Sequence, residues 1–229
     1  MTSRFPRWLV GTALARHVLP FEEAIRQAVL ELAAALPAGA LVLDAGAGET
    51  QYAPCFSRQR YVGVDLAVGD AEWDYGSLDV ISDLTRLPFA SGSFDACLNI
   101  VTLEHLPEPA SALTETGRVL KPGGVLLLAA PLVWEIHQAP HDFFRFTSYG
   151  VRYLLEKAGY TEIAVRPVGG FFRLLTRLLL YGLRFFPAPL RYLVALLAAP
   201  VALVLPIFNF LDRDRIFALG YVCTARKPS

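Results

Sequence analysis

The sequence predicts an α/β domain with a mostly parallel sheet of seven strands, flanking helices, and an apolar helical insertion before the last strand. From residue 40 onward, short apolar runs alternate with helical or turn segments, which is typical of a parallel sheet covered by helices. Seven of these runs have the length of strands. After residue 170, where one helix and a short link are expected, the chain becomes strongly apolar. This stretch predicts the insertion.

The predicted strands account for most apolar runs between residues 41 and 226. They are Leu41–Asp44, Tyr61–Asp65, Val80–Ser82, Ala96–Ile100, Val125–Ala130, Glu162–Pro167 and Gly220–Arg226. The sequence Lys-Pro-Gly-Gly at 121–124 predicts a turn before the fifth strand, because proline presets one backbone dihedral and glycine accepts positive φ. Gly150 to Ala158 predicts a helix that Gly159 ends.

The chain divides into four segments, and its 229 residues suit a single core. Residues 1–39 are predicted to form N-terminal helices, the second opened by Pro20. Residues 40–170 form the core, 171–211 an apolar helical hairpin, and 212–229 the strand that completes the core. Arg4 and Arg7 before an apolar run resemble a signal peptide, but no convincing cleavage site follows, so we expect residues 1–36 to be retained.

Composition disfavours two classes of function. The 21 basic and 21 acidic residues cancel, so no global field recruits nucleic acid. Cys55, Cys97 and Cys223 are odd in number and widely spaced, which gives neither a disulfide framework nor a paired metal-ligand spacing. We therefore expect a reducing, cytoplasmic setting and no nucleic-acid partner.

The first strand runs into a turn that contains two glycines. Asp44 ends the strand, and Gly46 and Gly48 follow in the turn. Glycine lets the backbone approach a ligand closely, and the amides at the start of the next helix can meet an anion. Asp65 ends the second strand at the spacing where a carboxylate accepts hydrogen bonds from ribose hydroxyls. Two acids around one glycine turn predict a nucleoside pocket.

A dinucleotide-binding site is the alternative, because the same geometry binds nicotinamide or flavin cofactors. The third glycine of that motif would fall at Gln51, so the match is incomplete. Asp44 directly before the turn suits a cofactor that carries an ammonium group.

Further motifs follow in the order seen in small-molecule methyltransferases. They are Asp83 before Leu87-Pro88-Phe89, Ser93-Phe94-Asp95, Leu103-Glu104-His105, and Arg118 to Gly124. With the glycine turn, residues 40–165 resemble the class I S-adenosylmethionine-dependent methyltransferases, whose fold is Rossmann-like. A methyltransferase loop often carries a third glycine where this chain has Thr50, which predicts a somewhat altered turn.

The resemblance implies that S-adenosyl-L-methionine is the cofactor. It also implies that Asp83 and Leu84 flank the adenine and that Asn99 lies beside the cofactor at the end of the fourth strand. The full expected cofactor site is Asp44, Gly46, Gly48, Asp65, Leu66, Asp83, Leu84 and Asn99.

Candidate catalytic residues follow the fifth strand, in the loop that faces the substrate in the resembling family. Methyl transfer mainly requires alignment, but a hydroxyl or acidic carbon also needs a base, for which histidine or a carboxylate is suited. We predict His141 as this base with Asp142 orienting it, the alternative being that both cap a helix and bind Arg145. Substrate contacts are expected from His105, His137, Phe143 and Arg145.

A metal site is the alternative for the same loop. His137, His141 and Asp142 could form a set of two histidines and one carboxylate. Pro140 breaks the helix that would align the two rings, so the sequence predicts no metal.

The insertion combines arginines with long apolar runs. Arg173, Arg177 and Arg184 share one face of a predicted helix, opposite leucine and phenylalanine. Because the last strand rejoins the same sheet, a single membrane crossing is excluded. We expect a hairpin of Phe171–Phe186 and Leu190–Leu211 that dips into one leaflet or lies on it, with the arginines facing anionic headgroups. A homodimer interface or a substrate lid is the rival interpretation.

The sequence therefore predicts a methyltransferase at the cytoplasmic face of the membrane, acting on a small or lipid-linked acceptor. It does not choose among oxygen, carbon and nitrogen as the methylated atom. A catalytically silent methyltransferase-like binding or scaffold protein is the competing function, and an oxidoreductase is a third.

Overall fold

The computed structural model describes residues 17–70 and 72–229, and its centre is one seven-stranded sheet. In chain order the strands are β1 (Leu41–Ala45), β2 (Arg60–Asp65), β3 (Val80–Ile81), β4 (Phe94–Ile100), β5 (Leu120–Pro131), β6 (Thr161–Gly169) and β7 (Ala218–Arg226). Their spatial order is β3-β2-β1-β4-β5-β7-β6. β1 to β5 pair in parallel, whereas β7 is antiparallel to both β5 and β6. The predicted fold class is confirmed.

Each predicted strand forms, and the largest difference is at β5. This strand extends back to Leu120, which pairs with Phe94 before the register shifts at Ala96. The predicted turn at 121–124 is thus an irregularity within the strand. Gly123 has φ +73°, and a Cβ on Gly124 would meet the Lys121 carbonyl oxygen at 2.8 Å, so both positions require glycine.

Helices cover both faces of the sheet. They are α1 (Pro20–Ala35), α2 (Pro109–Val119) and α3 (Ser148–Lys157). On one face α1 buries Phe21, Ile25 and Val29 in a cluster with β4, β5 and β7. On the other face α2 and α3 bury an apolar cluster with the same strands. Pro20 begins α1 as predicted, and residues 1–16 of the predicted N-terminal helices lie outside the described residues.

The insertion between β6 and β7 is a helical hairpin, which we call the apolar hairpin (residues 171–211). It comprises α4 (Phe171–Gly182), a 3-10 turn (Leu183–Phe185), α5 (Ala188–Val204) and a 3-10 segment (Leu205–Leu211). Its two ends are tied together at the sheet. The Phe171 amide donates to Asp212 Oδ2 at 2.6 Å, and Asn209 Nδ2 donates to the Gly169 carbonyl at 3.0 Å.

The prediction that the arginines of the first hairpin helix face outward is wrong for Arg177. Arg177 is only 6% exposed, and its guanidinium lies 3.5 Å from the ring centroid of Trp134. Its Nη1 is 3.2 Å from Glu22 Oε1 on α1. Arg173 is half-buried, and Arg184 is exposed. The arginine face of α4 is turned toward the domain because a half-buried carboxylate and an indole compensate the loss of water around the charge.

The second helix of the apolar hairpin leaves most of its apolar side chains exposed. Ala188–Leu211 spans 24 residues and contains an 18-residue window with mean hydropathy 2.3, of which only 17% is buried. By length and composition alone it is the one helix in the described residues that could cross a membrane. The exposed large side chains include Tyr192, Leu193, Leu196, Leu197, Ile207 and Phe210.

Candidate active site

The glycine bend lies at the carboxyl end of β1, in the middle of the sheet. Gly46 and Gly48 have φ +94° and +52°, a region that favours glycine. A Cβ on Gly46 would collide with the Thr102 side chain, which follows β4. The bend is therefore packed directly against the residues that lead from β4 into the site.

Thr50 occupies the place where a methyltransferase loop often carries a third glycine. Its φ is +54°, so a β-branched residue holds the left-handed conformation that glycine takes easily. Its Cγ2 atom lies 3.0 Å from where a Cβ on Gly63 would be, and this packing against β2 fixes it. The expected helix after the bend is replaced by a turn and a short 3-10 helix (Ala53–Phe56).

The two strand-end carboxylates lie close enough for their charges to interact. Asp44 is buried, and its Oδ2 accepts a 2.6 Å hydrogen bond from the Tyr61 hydroxyl. Burial and, to a lesser degree, the nearby charge of Asp65 raise the pKa of Asp44 to about 6, although the Tyr61 hydrogen bond opposes the rise. Asp65 accepts hydrogen bonds from the amides of Gly48 and Ala67. The bend and the second acid are thus directly connected.

The other predicted cofactor residues differ in burial, and Asn99 is the one with a hydrogen bond to the end of β1. Asn99 is buried and donates to the Ala45 carbonyl at 3.0 Å. Leu66, directly after Asp65, is 48% exposed and offers an apolar surface. Asp83 is exposed, with Oδ1 accepting from the amide and hydroxyl of Thr85, and Leu84 is buried in the core.

Trp73 covers the bend, a contact that no motif in the sequence indicates. It belongs to the loop between β2 and β3, and its ring atom Cζ3 lies 3.0 Å from the position of a Cβ on Gly48. Tyr75 accompanies it, with ring centroids 6.1 Å apart, and accepts from the Gly69 amide. A ligand that approaches Gly48 must contact or displace this indole.

Beside the bend, one buried carboxylate faces two imidazoles. Glu104 is fully buried, and its Oε1 lies 3.8 Å from both His105 Nε2 and His137 Nε2. Burial lowers the pKa of His105. Burial also opposes the charged form of His137, but the Glu104 carboxylate and the Glu135 carbonyl outweigh it and raise the pKa of His137. We call these three residues the Glu-His-His cluster.

The predicted catalytic pair is not assembled as expected. Asp142 accepts from the His137 amide at 2.9 Å and lies 3.5 Å from His137 Nδ1, so it orients His137 and not His141. The His141 ring lies near Phe143, while its backbone carbonyl binds His105 Nδ1. His141 therefore reaches the cluster through its backbone.

Arg145 is bonded to its own loop, and its contact with substrate stays a prediction. It makes five hydrogen bonds within its own loop, two of them to Asp142. The Arg145 guanidinium is the main reason that the pKa of Asp142 falls to about 2. The alternative in which Asp142 binds Arg145 is confirmed, although Thr147 is the residue that caps α3.

The aromatic residues of the loop divide between surface and core. Phe143 and Phe144 are 45% and 39% exposed, and Phe146 is buried. The amides of Phe143 and Phe144 donate to the Glu104 carbonyl, so both rings are held next to the Glu-His-His cluster. They can form an apolar wall, whereas Phe146 belongs to the core.

Comparison with known proteins gives the same assignment for this region. Residues 43–128 match a family model described as a methyltransferase domain. An uncharacterized methyltransferase of Mycobacterium sp. (strain KMS) is 39% identical over 100 residues, covering 41% of this chain and 39% of that protein. The aligned segment thus spans about two fifths of the relative's length.

Solved structures share the fold across nearly the whole chain. The Burkholderia thailandensis 1,6-didemethyltoxoflavin-N1-methyltransferase, crystallised with its substrate and S-adenosylhomocysteine, has TM-score 0.57 and 21% identity, covering 94% of this chain and 83% of that one. The [4+2]-cyclase SpnF has TM-score 0.55 and 21% identity, covering 94% of both chains. Residues 43–128 therefore match a methyltransferase domain, and the chain shares the fold of these solved structures.

Proposed function

We propose that this chain is an S-adenosylmethionine-dependent methyltransferase that acts on an apolar or lipid-linked acceptor at a membrane surface. The observation that carries the proposal is the pair of carboxylates, Asp44 and Asp65, on either side of the glycine bend. Adjacent parallel strands end there at one edge of the sheet, the usual binding edge of open α/β folds.

The residues at the bend fit this cofactor. Asp44 Oδ1 is buried and has no hydrogen-bond partner among the described residues, so it can accept from the ammonium of the cofactor. Asp65 is held at the strand end by two backbone amides, in position for ribose hydroxyls, and Leu66 offers an apolar surface to the base. The cofactor would supply a methyl group bound to a sulfonium, and the protein's part is to align the acceptor with it.

The acceptor side is apolar at its rim and polar at its floor. Phe143 and Phe144 present exposed rings, while the Glu-His-His cluster lies beneath their backbone. Such a wall suits an apolar acceptor with a polar reacting group. This arrangement supports an acceptor of low polarity without choosing the methylated atom.

Membrane contact is proposed through the apolar hairpin. The exposed leucines and aromatics of α5 form a surface suited to a bilayer. At its base, Arg166, Arg173 and Arg215 contribute to the lining of a cavity of about 410 Å³. Arg173 Nε is buried there with no hydrogen-bond partner in the described part of the chain, which favours an anionic headgroup. We place the domain at the cytoplasmic face, and a homodimer through α5 is the rival outcome.

Ligand-induced stabilisation tests the cofactor proposal. S-adenosylmethionine and S-adenosylhomocysteine should each raise the melting temperature of the purified chain, since a ligand that binds only the folded state stabilises it. Asp65→Ala should remove this rise, and Asp214→Ala, an exposed acid far along the chain, should retain it. No shift in the unaltered protein at millimolar ligand would refute the proposal.

A cofactor-binding protein without methyl transfer is the second candidate. The Trp73 ring over Gly48 favours it, and the likeness to a [4+2]-cyclase supports the view that this fold accommodates other chemistry. Transfer of a labelled methyl group into a lipid extract separates the two functions. Cofactor binding without any labelled product would favour the second.

A further inference from the structure

The Glu-His-His cluster leaves buried polar atoms without partners. Both carboxylate oxygens of Glu104, and the Nε2 atoms of His105 and His137, have no hydrogen-bond partner among the described residues. All three side chains are at most 10% exposed. Leaving a buried polar group unpaired typically costs about 1–3 kcal/mol, and such groups in folded proteins usually have an ion or water as partner.

The backbone fixes which nitrogen of each ring carries hydrogen. His105 Nδ1 contacts the His141 carbonyl, and His137 Nδ1 contacts the Glu135 carbonyl at 3.0 Å. A carbonyl can only accept, so Nδ1 is the donor in both rings. In the neutral ring Nε2 is then a bare lone pair.

Lone pairs therefore face each other inside the protein. Two Nε2 atoms and a carboxylate point into one space, and the 3.8 Å separations exceed hydrogen-bond length. Protonating one ring does not satisfy the set, because its hydrogen would still be too far from Glu104. A cation at the centre would satisfy all three.

We propose that Glu104, His105 and His137 form a binding site for a divalent transition-metal ion. The donor atoms lie within 4.8 Å of one another. Ligand atoms of a tetrahedral zinc site with bonds of 2.0–2.1 Å are about 3.3 Å apart. Side-chain rotations that move the donor atoms by about an ångström would therefore close the site. Imidazole nitrogen with one carboxylate suits zinc, iron or cobalt, whereas magnesium prefers oxygen ligands.

The surrounding contacts are those of a supported metal site. Histidine ligands almost always donate their second ring nitrogen to a carbonyl or carboxylate, which fixes ring orientation. Both rings here do so, and Asp142 additionally approaches His137 Nδ1 at 3.5 Å. Asp142 is itself held by Arg145, so the loop is built to orient His137.

The place of the site gives it a role that rests on the proposed function. Glu104 follows Thr102, which packs against Gly46 in the cofactor bend. The amide of Phe143 donates to the backbone carbonyl of Glu104. Three protein ligands leave a tetrahedral ion one open position. That position is available to an oxygen of the acceptor, so we infer an acceptor that binds through a hydroxyl or phenolic oxygen.

Metal binding by the full chain tests the site without reference to activity. The protein is purified without a histidine tag, stripped with a chelator and titrated with Zn²⁺. We expect one tightly bound equivalent, and affinity reduced by about 100-fold or more in Glu104→Gln and in His137→Ala. His141→Ala is the matched control, because its ring lies outside the cluster, and it should bind as the unaltered chain does.

Cobalt substitution provides a measurement that does not depend on any variant folding. Co²⁺ in the unaltered protein should give the intense visible absorption of a four-coordinate site, and added Zn²⁺ should remove it. Weak binding with a hexa-aqua-like spectrum, or equal Zn²⁺ affinity in unaltered chain and Glu104→Gln, would overturn the proposal and leave a cluster without metal.

The thermal shift with S-adenosylhomocysteine is measured on the same samples. If Zn²⁺ fails to bind while the shift persists, the metal site is refuted and the proposed function stands. If Zn²⁺ binds and the shift is absent, the metal site stands and the proposed function fails.

Discussion

Arg177 of α4 lies 3.5 Å from the ring centroid of Trp134, a residue of the loop that carries the candidate site. The same indole contacts Phe21 of α1, with ring centroids 5.8 Å apart, and lies 6.2 Å from the His137 ring. The apolar hairpin, the first helix and the site loop thus meet on one side chain.

Removing this cation should destabilise the whole domain. Arg177→Ala loses a desolvated cation–π contact and the ion pair to Glu22, and we expect a loss of about 2–3 kcal/mol in unfolding free energy. Arg184→Ala, whose side chain is 51% exposed, should cost less than about 0.5 kcal/mol. Urea denaturation measures both, and equal losses would show that Arg177 is not an anchor.

Asp44 should make stability depend on pH in a specific direction. Its folded pKa of about 6 lies above the ordinary value of 3.8, so the folded state binds the extra proton. The stabilising contribution is therefore complete below pH 4 and is lost as pH rises through 6. Over this window it amounts to about 3 kcal/mol.

The variant Asp44→Asn isolates that contribution. Its stability and that of the unaltered chain are measured by urea denaturation at pH 4, 5, 6 and 7. The free energy of unfolding of the variant should increase relative to that of the unaltered chain as pH rises. S-adenosylmethionine carries an ammonium, so its affinity for the unaltered chain should also increase over this range. A difference in stability that stays constant with pH would contradict the assignment.

Trp73 should report cofactor binding directly. Because its ring lies over Gly48, a ligand at the bend must change the surroundings of the indole. We expect S-adenosylhomocysteine to change tryptophan emission, Trp73→Phe to abolish that change, and Trp134→Phe to keep it. An undiminished change in Trp73→Phe would place the ligand elsewhere.

Charges on the exposed face of α5 should prevent membrane binding. Leu196 and Leu197 are 71% and 68% exposed, so replacing both by Asp leaves packing intact while opposing insertion. Each apolar side chain contributes about 1.5–3 kcal/mol when buried, so we expect vesicle affinity to fall by at least about 100-fold. Flotation with vesicles of phosphatidylcholine and phosphatidylglycerol measures this.

A matched control tests whether exposed apolar residues anywhere have this effect. Tyr149 and Tyr153 on α3 are 83% and 61% exposed, and replacing both by Asp should leave flotation unchanged. Sedimentation of both variants tests the rival occupant. The homodimer alternative holds if the unaltered chain is a dimer that does not bind vesicles. The double substitution Leu196→Asp and Leu197→Asp should then dissociate that dimer.

The sheet could be predicted from sequence because its signals are local. Most strands are short apolar runs, and the strand-end positions of Asp44 and Asp65 follow from the first two of them. The sequence could not show how Thr50 holds its left-handed dihedral, because the contact with Gly63 is made between separate segments.

The site loop could not be predicted, because distant contacts fix it. Glu104 and His137 are far apart in sequence and meet only because backbone hydrogen bonds dock the loop onto the turn after β4. Sequence spacing instead favoured His141 and Asp142, which are neighbours. Periodicity likewise placed Arg177 on a polar face but could not reveal that Trp134 and Glu22 draw this face inward.

Gly169 pairs with Ala218 across β6 and β7, so the 48 residues between them stand where an ordinary antiparallel sheet has a tight turn. No strand of the sheet depends on their length. Beyond α4, which Arg177 anchors to the domain, the segment can change in length without altering the pairing of β6 with β7. The proposed membrane contact at α5 and the two strand-end acids therefore lie in separate segments of the chain.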